Sequence, residues 1–193
     1  MLFASALANP QFATVSLPDS VSPKLTSTHT LLVLDDSYSM AATRSQETLF
    51  SRAKQAAQDL VGAAVQGEAF TLIAMTNEHG PVIHYPSFDA ARVASELERL
   101  PIGYGDSTLA TVLGSIEKSI SAARQRFPRL TSTRVCFYTD LGDNTWNALA
   151  GDAVRDRLRR IRQNAELFVI DVGAAAGSNL AVSGIQQLSL IHI

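Results

Sequence analysis

Asp35, Ser37 and Ser39 stand at alternating positions in the stretch Asp35-Asp-Ser-Tyr-Ser-Met40, directly after the apolar run Leu31-Leu-Val-Leu34. One carboxylate and two hydroxyls on a tight loop supply three hard oxygen donors. Such donors suit Mg²⁺ or Mn²⁺, whereas zinc and copper favour nitrogen and sulfur. Two further stretches carry acids and hydroxyls in comparable settings. Gly105-Asp-Ser-Thr108 leads into an apolar periodic segment, and Tyr138-Thr-Asp-Leu-Gly142 closes another apolar run.

The elements that must position these groups can be read from apolar periodicity. Leu31–Leu34 has no polar alternation, the pattern of a strand buried on both faces in a parallel sheet. The first strand is expected at about 30–35. From Glu47, Leu49, Ala53, Ala56, Leu60 and Ala64 recur at steps of three and four, which predicts a helix stopped by Gly67. Strands are expected at 69–75, 82–84, 133–139 and 167–172. Asn77–Gly80 reads as a turn. Asp89 is placed to cap a helix carrying Val93, Leu97 and Leu100. Leu109, Val112, Leu113, Ile116, Ile120 and Ala123 form one stripe of a helix ended by Pro128. A last helix is expected from Trp146 to Ala165, with Val154, Leu158 and Ile161 together. Strands alternating with helices predict an α/β class: a doubly wound, mostly parallel sheet flanked by helices. In such a sheet, ligands bind at the carboxyl ends of the strands where strand order reverses. The loops holding Asp35, Gly105–Thr108 and Asp140 then fall at one end.

Asp-x-Ser-x-Ser after a hydrophobic strand resembles the metal-ion-dependent adhesion site of von Willebrand factor A domains. The resemblance implies that the second loop supplies a threonine-type ligand and the third an aspartate. Asp140 matches the third position. The second loop departs from the family's Gly-Thr-Asp pattern, so Ser107 and Thr108 both stand as its ligand. The implied metal set is Asp35, Ser37, Ser39, Ser107 or Thr108, and Asp140, with Asp36 and Tyr38 shaping the loop and rim. A vacant position on Mg²⁺ or Mn²⁺ would take an acidic residue of a partner protein. Residues 33–40, 138–146 and 169–183 are similar to the Bat-type aerotolerance proteins of bacteria, in the branch with two N-terminal membrane anchors. That implies a membrane-anchored protein, in the bacterial inner membrane, whose non-enzymatic domain binds protein rather than nucleic acid. The implied division is a lead-in over 1–28 holding a possible anchor remnant in residues 2–8, the A-type domain over 29–178, and a following strand or region over 179–187. Leu188-Ser-Leu-Ile-His-Ile193 resembles a translated sequencing adapter.

Composition narrows the field without deciding it. The 193 residues, 46 % hydrophobic and 18 % charged, suffice for one domain with a substantial core. A formal charge of −2 gives no global field for nucleic acid or anionic lipid. The single Cys136 excludes an internal disulfide and a cysteine zinc cluster; its apolar neighbours make it a buried strand cysteine. His29, His79, His84 and His192 do not gather in sequence and read as surface or incidental histidines. Arg155, Arg157, Arg159, Arg160 and Arg162 flank an apolar helical stripe, which is the pattern of a solvated face. No residues suggest a nucleophile activated by a base. A phosphoryl receiver domain would need an aspartate between Ile73 and Val82 and a lysine near the end. The first stretch contains no aspartate, and no lysine follows Lys118. An Asp-x-Asp phosphatase would need an acid at position 37, where serine stands.

Overall fold

The computed structural model describes residues 27–44, 46–76, 81–103, 105, 108–142, 146 and 151–173. Within them the chain forms β1 (Ser27–Leu34), a 3₁₀ turn (Tyr38–Ala41), a two-residue hairpin of β2 (Thr43–Arg44) and β3 (Glu47–Thr48), and α1 (Leu49–Gly62). There follow β4 (Ala69–Ala74), β5 (Pro81–Ser87), α2 (Ala90–Arg99), α3 (Leu109–Arg126), β6 (Leu130–Thr139), α4 (Asp152–Arg162) and β7 (Glu166–Asp171).

Five strands make one sheet in the order β5-β4-β1-β6-β7. β1 lies at its centre, parallel to β4 on one side and β6 on the other, with Leu34 level with both Ala74 and Tyr138. β7 extends the sheet parallel to β6, and only the edge pair β4–β5 is antiparallel. The chain first builds outward from β1 through β4 to β5, then returns to lay β6 and β7 on the other side. Strand order therefore reverses at β1, and a crevice opens beyond its carboxyl end.

Alternation along the central strand divides the core in two. Leu32 and Leu34 point to one face, where α1 and α2 bring Phe50, Ala53, Ala57, Val93 and Leu97. Leu31 and Val33 point to the other, against Leu109, Leu113, Ile116 and Ile120 of α3 and Val154 and Ile161 of α4. β1 is apolar throughout its second half because both of its faces are covered. The doubly wound, mostly parallel arrangement expected from the sequence is the one observed.

Boundaries shift for local reasons. Thr48 accepts a hydrogen bond from the Ser51 amide at 3.0 Å, so α1 starts after the hairpin that Glu47 helps to form. α1 ends at Gly62, not Gly67; Gly67, at φ +96°, serves the turn into β4 instead. Asp89 does cap α2, accepting from the Arg92 amide at 3.0 Å. Lys54 on α1 donates to the carbonyls of Glu98 and Leu100, satisfying the open end of α2. α3 runs to Arg126, with Phe127 as its cap just before Pro128. β5 and β6 are longer than expected, and α4 is confined to Asp152–Arg162, with Ala165 beyond its end. Expectations for residues 1–26, 77–80 and 174–193 lie outside the described residues.

One sequence expectation is overturned. His29 is not a surface histidine preceding the sheet; it is a member of β1 and fully buried, with its Nε2 2.8 Å from Thr71 Oγ1 on the neighbouring strand. Burial lowers its pKa from 6.5 to about 4. The misreading came from its polar neighbours Thr28 and Thr30, which are buried as well.

Candidate metal centre

The site grows from the end of β1. Asp35 still belongs to the sheet, since its amide donates to the Tyr138 carbonyl at 2.9 Å while the Leu34 carbonyl accepts from the Met75 amide at 2.9 Å. Its position is therefore set by ladders on both sides. The carboxylate is fully buried. Oδ1 accepts from the Ser37 amide at 3.1 Å, and Oδ2 accepts from the Thr139 hydroxyl at 2.7 Å. Thr139 Oγ1 in turn accepts from the Leu141 amide at 3.1 Å and the Trp146 indole at 3.0 Å. Both lone pairs of that hydroxyl are thus used, and its single proton is committed to Asp35.

The remaining donors gather around this anchor. Ser37 and Ser39 hydroxyls lie 3.1 Å apart on the 3₁₀ turn that buried Met40 pins to the core. Asp140 follows β6 by one residue, and its Oδ1 accepts from the Gly142 amide at 3.0 Å. A side-chain carbon at Gly142 would lie 3.1 Å from Asp140 Oδ1 and 3.6 Å from Ser39 Oγ, so the first and third loops meet there. Gly173, after β7, also packs against Asp140, since a Cβ there would lie 3.4 Å from Asp140 Cα and Cβ, and Arg44 of the hairpin donates to the Gly173 carbonyl.

Asp36 turns to the opposite side of the loop. Fully buried, it accepts from the Thr76 amide at 2.8 Å and the Thr76 hydroxyl at 2.7 Å. Its carbonyl accepts from the Gly103 amide at 2.8 Å, which ties the loop before α3 to the end of β1. A Cβ at Gly103 would fall 2.8 Å from Asp36 Oδ2 and closer still to Thr76 Oγ1, so this approach requires glycine. Asp36 therefore buttresses the loops rather than joining the donors.

The structure thus brings Asp35, Ser37, Ser39 and Asp140 to one place. Thr108 caps α3, and its hydroxyl is shared with Thr111 Oγ1 at 2.6 Å. Ser107 lies outside the described residues. Sequence reasoning overlooked Thr139, Thr76 and Gly103 as supports. The available signal was a polar residue at the very end of an otherwise apolar strand, which is slight.

Electrostatics favour a cation here. Burial raises the pKa of Asp35; the nearby negative charge of Asp140 adds to that, while hydrogen bonds from Ser37 and Thr139 oppose it. Among the described residues, no cationic side chain is one of the groups that shift Asp35. Ion pairs on α3 and α4 include those of Arg157 and Arg160 with Glu117. Two carboxylates and two hydroxyls converge here as an all-oxygen set whose chemistry fits Mg²⁺ or Mn²⁺.

Comparison with known proteins gives a consistent result. The family profile for the von Willebrand factor type A domain matches residues 30–143. The fold is similar to that of BatB from Bacteroides thetaiotaomicron, with a TM-score of 0.57 at 15 % identity, covering 74 % of this chain and 65 % of that one. It is similar to an aerotolerance-related membrane protein from Bacteroides fragilis, with a TM-score of 0.54 at 18 % identity and the same coverages. It is also similar to the SpRpn10 VWA domain, with a TM-score of 0.54 at 13 % identity, covering 79 % and 84 %. The chain thus spans just under two thirds of the two Bacteroides structures. No curated protein gives a sequence match.

Proposed function

Since this chain belongs to the von Willebrand factor type A domain family, we propose that it is a divalent-cation-dependent protein-interaction module that captures a carboxylate of a partner protein. The observation that carries this reading is the buried Asp35 carboxylate, with Asp140 and two serine hydroxyls gathered beside it. Bound there, Mg²⁺ or Mn²⁺ would supply positive charge and an exchangeable oxygen position for the partner.

The chain's own residues divide the work. Asp35, Ser37, Ser39 and Asp140 would hold the ion, with Thr108 or Ser107 as the second-loop hydroxyl. Thr139 orients Asp35, and Asp36 with Thr76 and Gly103 locks the first and second loops together. Few fixed negative charges leave the cation electrophilic, so an incoming carboxylate gains a charge-assisted contact.

We further propose that the whole protein is anchored in a bacterial inner membrane; the Bacteroides fragilis protein of similar fold is itself described as a membrane protein. No helix among the described residues is long and apolar enough to cross a membrane.

Calorimetric titration of Mg²⁺ and Mn²⁺ into the chain, beside Asp35→Ala, tests the central claim. Saturable binding in the wild type, lost in the variant, is expected. Equal heats in the two proteins would refute it and leave the fold as a metal-free scaffold.

A further inference from the structure

The arginines that read in sequence as a solvated face are organised in space. Helices α3 and α4 together carry eight basic and three acidic side chains, a balance of +5 in a chain whose formal charge is −2, so the remaining residues sum to −7. The two helices pack on the same face of the sheet, through Leu113, Ile116, Val154 and Ile161. Between them runs a groove of about 440 Å³, within the range of ligand clefts. Buried Ile120 and Ile161 form its floor, and Ser121, Arg124, Gln125 and Arg160 line it. Arg124 and Gln125 come shortly before β6 and Arg160 shortly before β7. The groove therefore sits towards the end of the sheet where these parallel strands start, opposite the candidate metal centre.

The charge at the groove is fixed and unbalanced. Arg157 Nε lies 3.6 Å from one oxygen of Glu117 and Arg160 Nε 3.1 Å from the other, so two guanidinium groups share one carboxylate. Arg124 is held by neutral acceptors just beyond the end of α4, the Asn164 side-chain oxygen at 2.5 Å and the Asn164 carbonyl at 3.1 Å. Three guanidinium groups and one carboxylate thus gather around Glu117 and Asn164, a local balance of +2. Arg160 meets Glu117 through Nε and its side chain is 56 % exposed, which leaves its terminal amino groups for an outside acceptor. Guanidinium forks held in this way match a carboxylate bidentately and lose little side-chain freedom on binding one.

We propose that the α3–α4 groove is a separate docking surface, which takes an acidic segment of a partner protein carrying apolar side chains among its carboxylates. It does not depend on the cation. Charge complementarity selects the carboxylates, and the isoleucine floor receives the apolar side chains. A groove between two helices admits an extended or helical segment, whereas a bilayer or a nucleic-acid duplex would meet only its rim. The −7 balance over the rest of the chain steers an acidic partner towards this face. Residues 1–26 and 174–193 hold one acid between them, Asp19, so neither stretch supplies such a segment.

The test uses the full chain with chelator present throughout, so that the candidate metal centre takes no part. The probe is an end-capped peptide of three Glu-Leu-Glu-Asp repeats, titrated by NMR beside an analogue with Gln and Asn in place of the acids. The acidic peptide is expected to bind about tenfold more tightly, with amide shifts concentrated at residues 121–125 and 160–164, and to weaken as salt rises. Arg160→Gln, which leaves Arg157 to pair with Glu117, should lose about tenfold in affinity, and Arg124→Gln should do the same. Arg159→Gln, which breaks an exposed pair with Asp156, should keep the wild-type value. Equal affinity for the two peptides, binding of neither, shifts lying elsewhere, or equal losses in all three variants would each overturn the proposal. Co-sedimentation of the chain with phosphatidylserine vesicles that is lost in Arg160→Gln would overturn it in favour of a lipid surface.

Discussion

At the scale of single residues, the site is built on commitments that leave little freedom. The Thr139 hydroxyl spends both lone pairs on the Leu141 amide and the Trp146 indole, so its proton must go to Asp35. One threonine thus couples the central strand, the third loop and Trp146, whose ring packs edge-on against Phe137 at 5.7 Å. The same network forces Leu141 into the left-handed region. For an L-residue that conformation costs on the order of 1–2 kcal/mol, and asparagine tolerates it better. Leu141 is 41 % exposed and has little packing to lose. Leu141→Asn is therefore expected to stabilise the chain by about 0.5–1 kcal/mol, raising Tm by roughly 2 °C. A fall in Tm on thermal unfolding would show that the leucine packs more strongly than its exposure indicates. A stabilising result would mark Leu141 as a residue kept at a structural cost.

At the scale of elements, the strands that read most plainly were those buried on both faces. Leu31–Leu34 and Ala69–Ala74 are unbroken apolar runs, and covered parallel strands need that composition. Asp35, at the end of such a run, was visible for the same reason. Helix α3 showed through its apolar stripe and α2 through its Asp89 cap. The supports of the site were hidden because they act across large sequence separations. Asp36 meets Thr76 forty positions away, and nothing local to Gly103 announces its contact with Asp36. His29 escapes notice because the strand is expected from residue 30, whereas the sheet takes in and buries Thr28 and His29 as well. Its Nδ1 has no hydrogen-bond partner among the described residues, so the ring has no stabilising contact for a second proton.

That histidine gives β1 a pH-dependent stability. Its folded pKa, lowered to about 4, lies below the unfolded value of 6.5. The folded state therefore binds fewer protons between these values. His29 contributes fully to stability above pH 6.5, and that contribution is lost as pH falls towards 4. At about 1.4 kcal/mol per pH unit, the loss is about 3 kcal/mol in full. Asp35, with its pKa raised by burial, works in the opposite sense, its contribution falling as pH rises. Comparing wild type with His29→Val, which share Asp35, cancels that contribution. Urea midpoints at pH 7 and pH 4.5 should then converge for the variant relative to the wild type by about 2–3 kcal/mol. Identical acid losses in the two proteins would show that His29 is solvated before the chain unfolds.

At the scale of the whole molecule, the sheet and the proposed cation would depend on one another. The donors come from the ends of β1 and β6, and Gly173 packs the end of β7 against Asp140. Unfolding separates these strands and scatters the donors, so the native state alone can hold the ion in this geometry. Without a cation, burial first and the charge of Asp140 second disfavour the ionised form of Asp35, and folding at neutral pH must bear that cost. Mg²⁺ would both neutralise the pair and add binding free energy to the folded state. By mass action, one site at a hundred times its Kd stabilises by about 2.7 kcal/mol. Thermal unfolding in Mg²⁺ at that ratio should therefore occur several degrees above unfolding in chelator, for a chain of this size. Asp35→Ala and Asp140→Ala should each abolish the difference, while Asp89→Ala, which removes the cap of α2, should lower Tm and leave it intact. A shift of equal size in all four proteins would trace the effect to salt on the general surface, and the donor cluster would lose its claim to the ion.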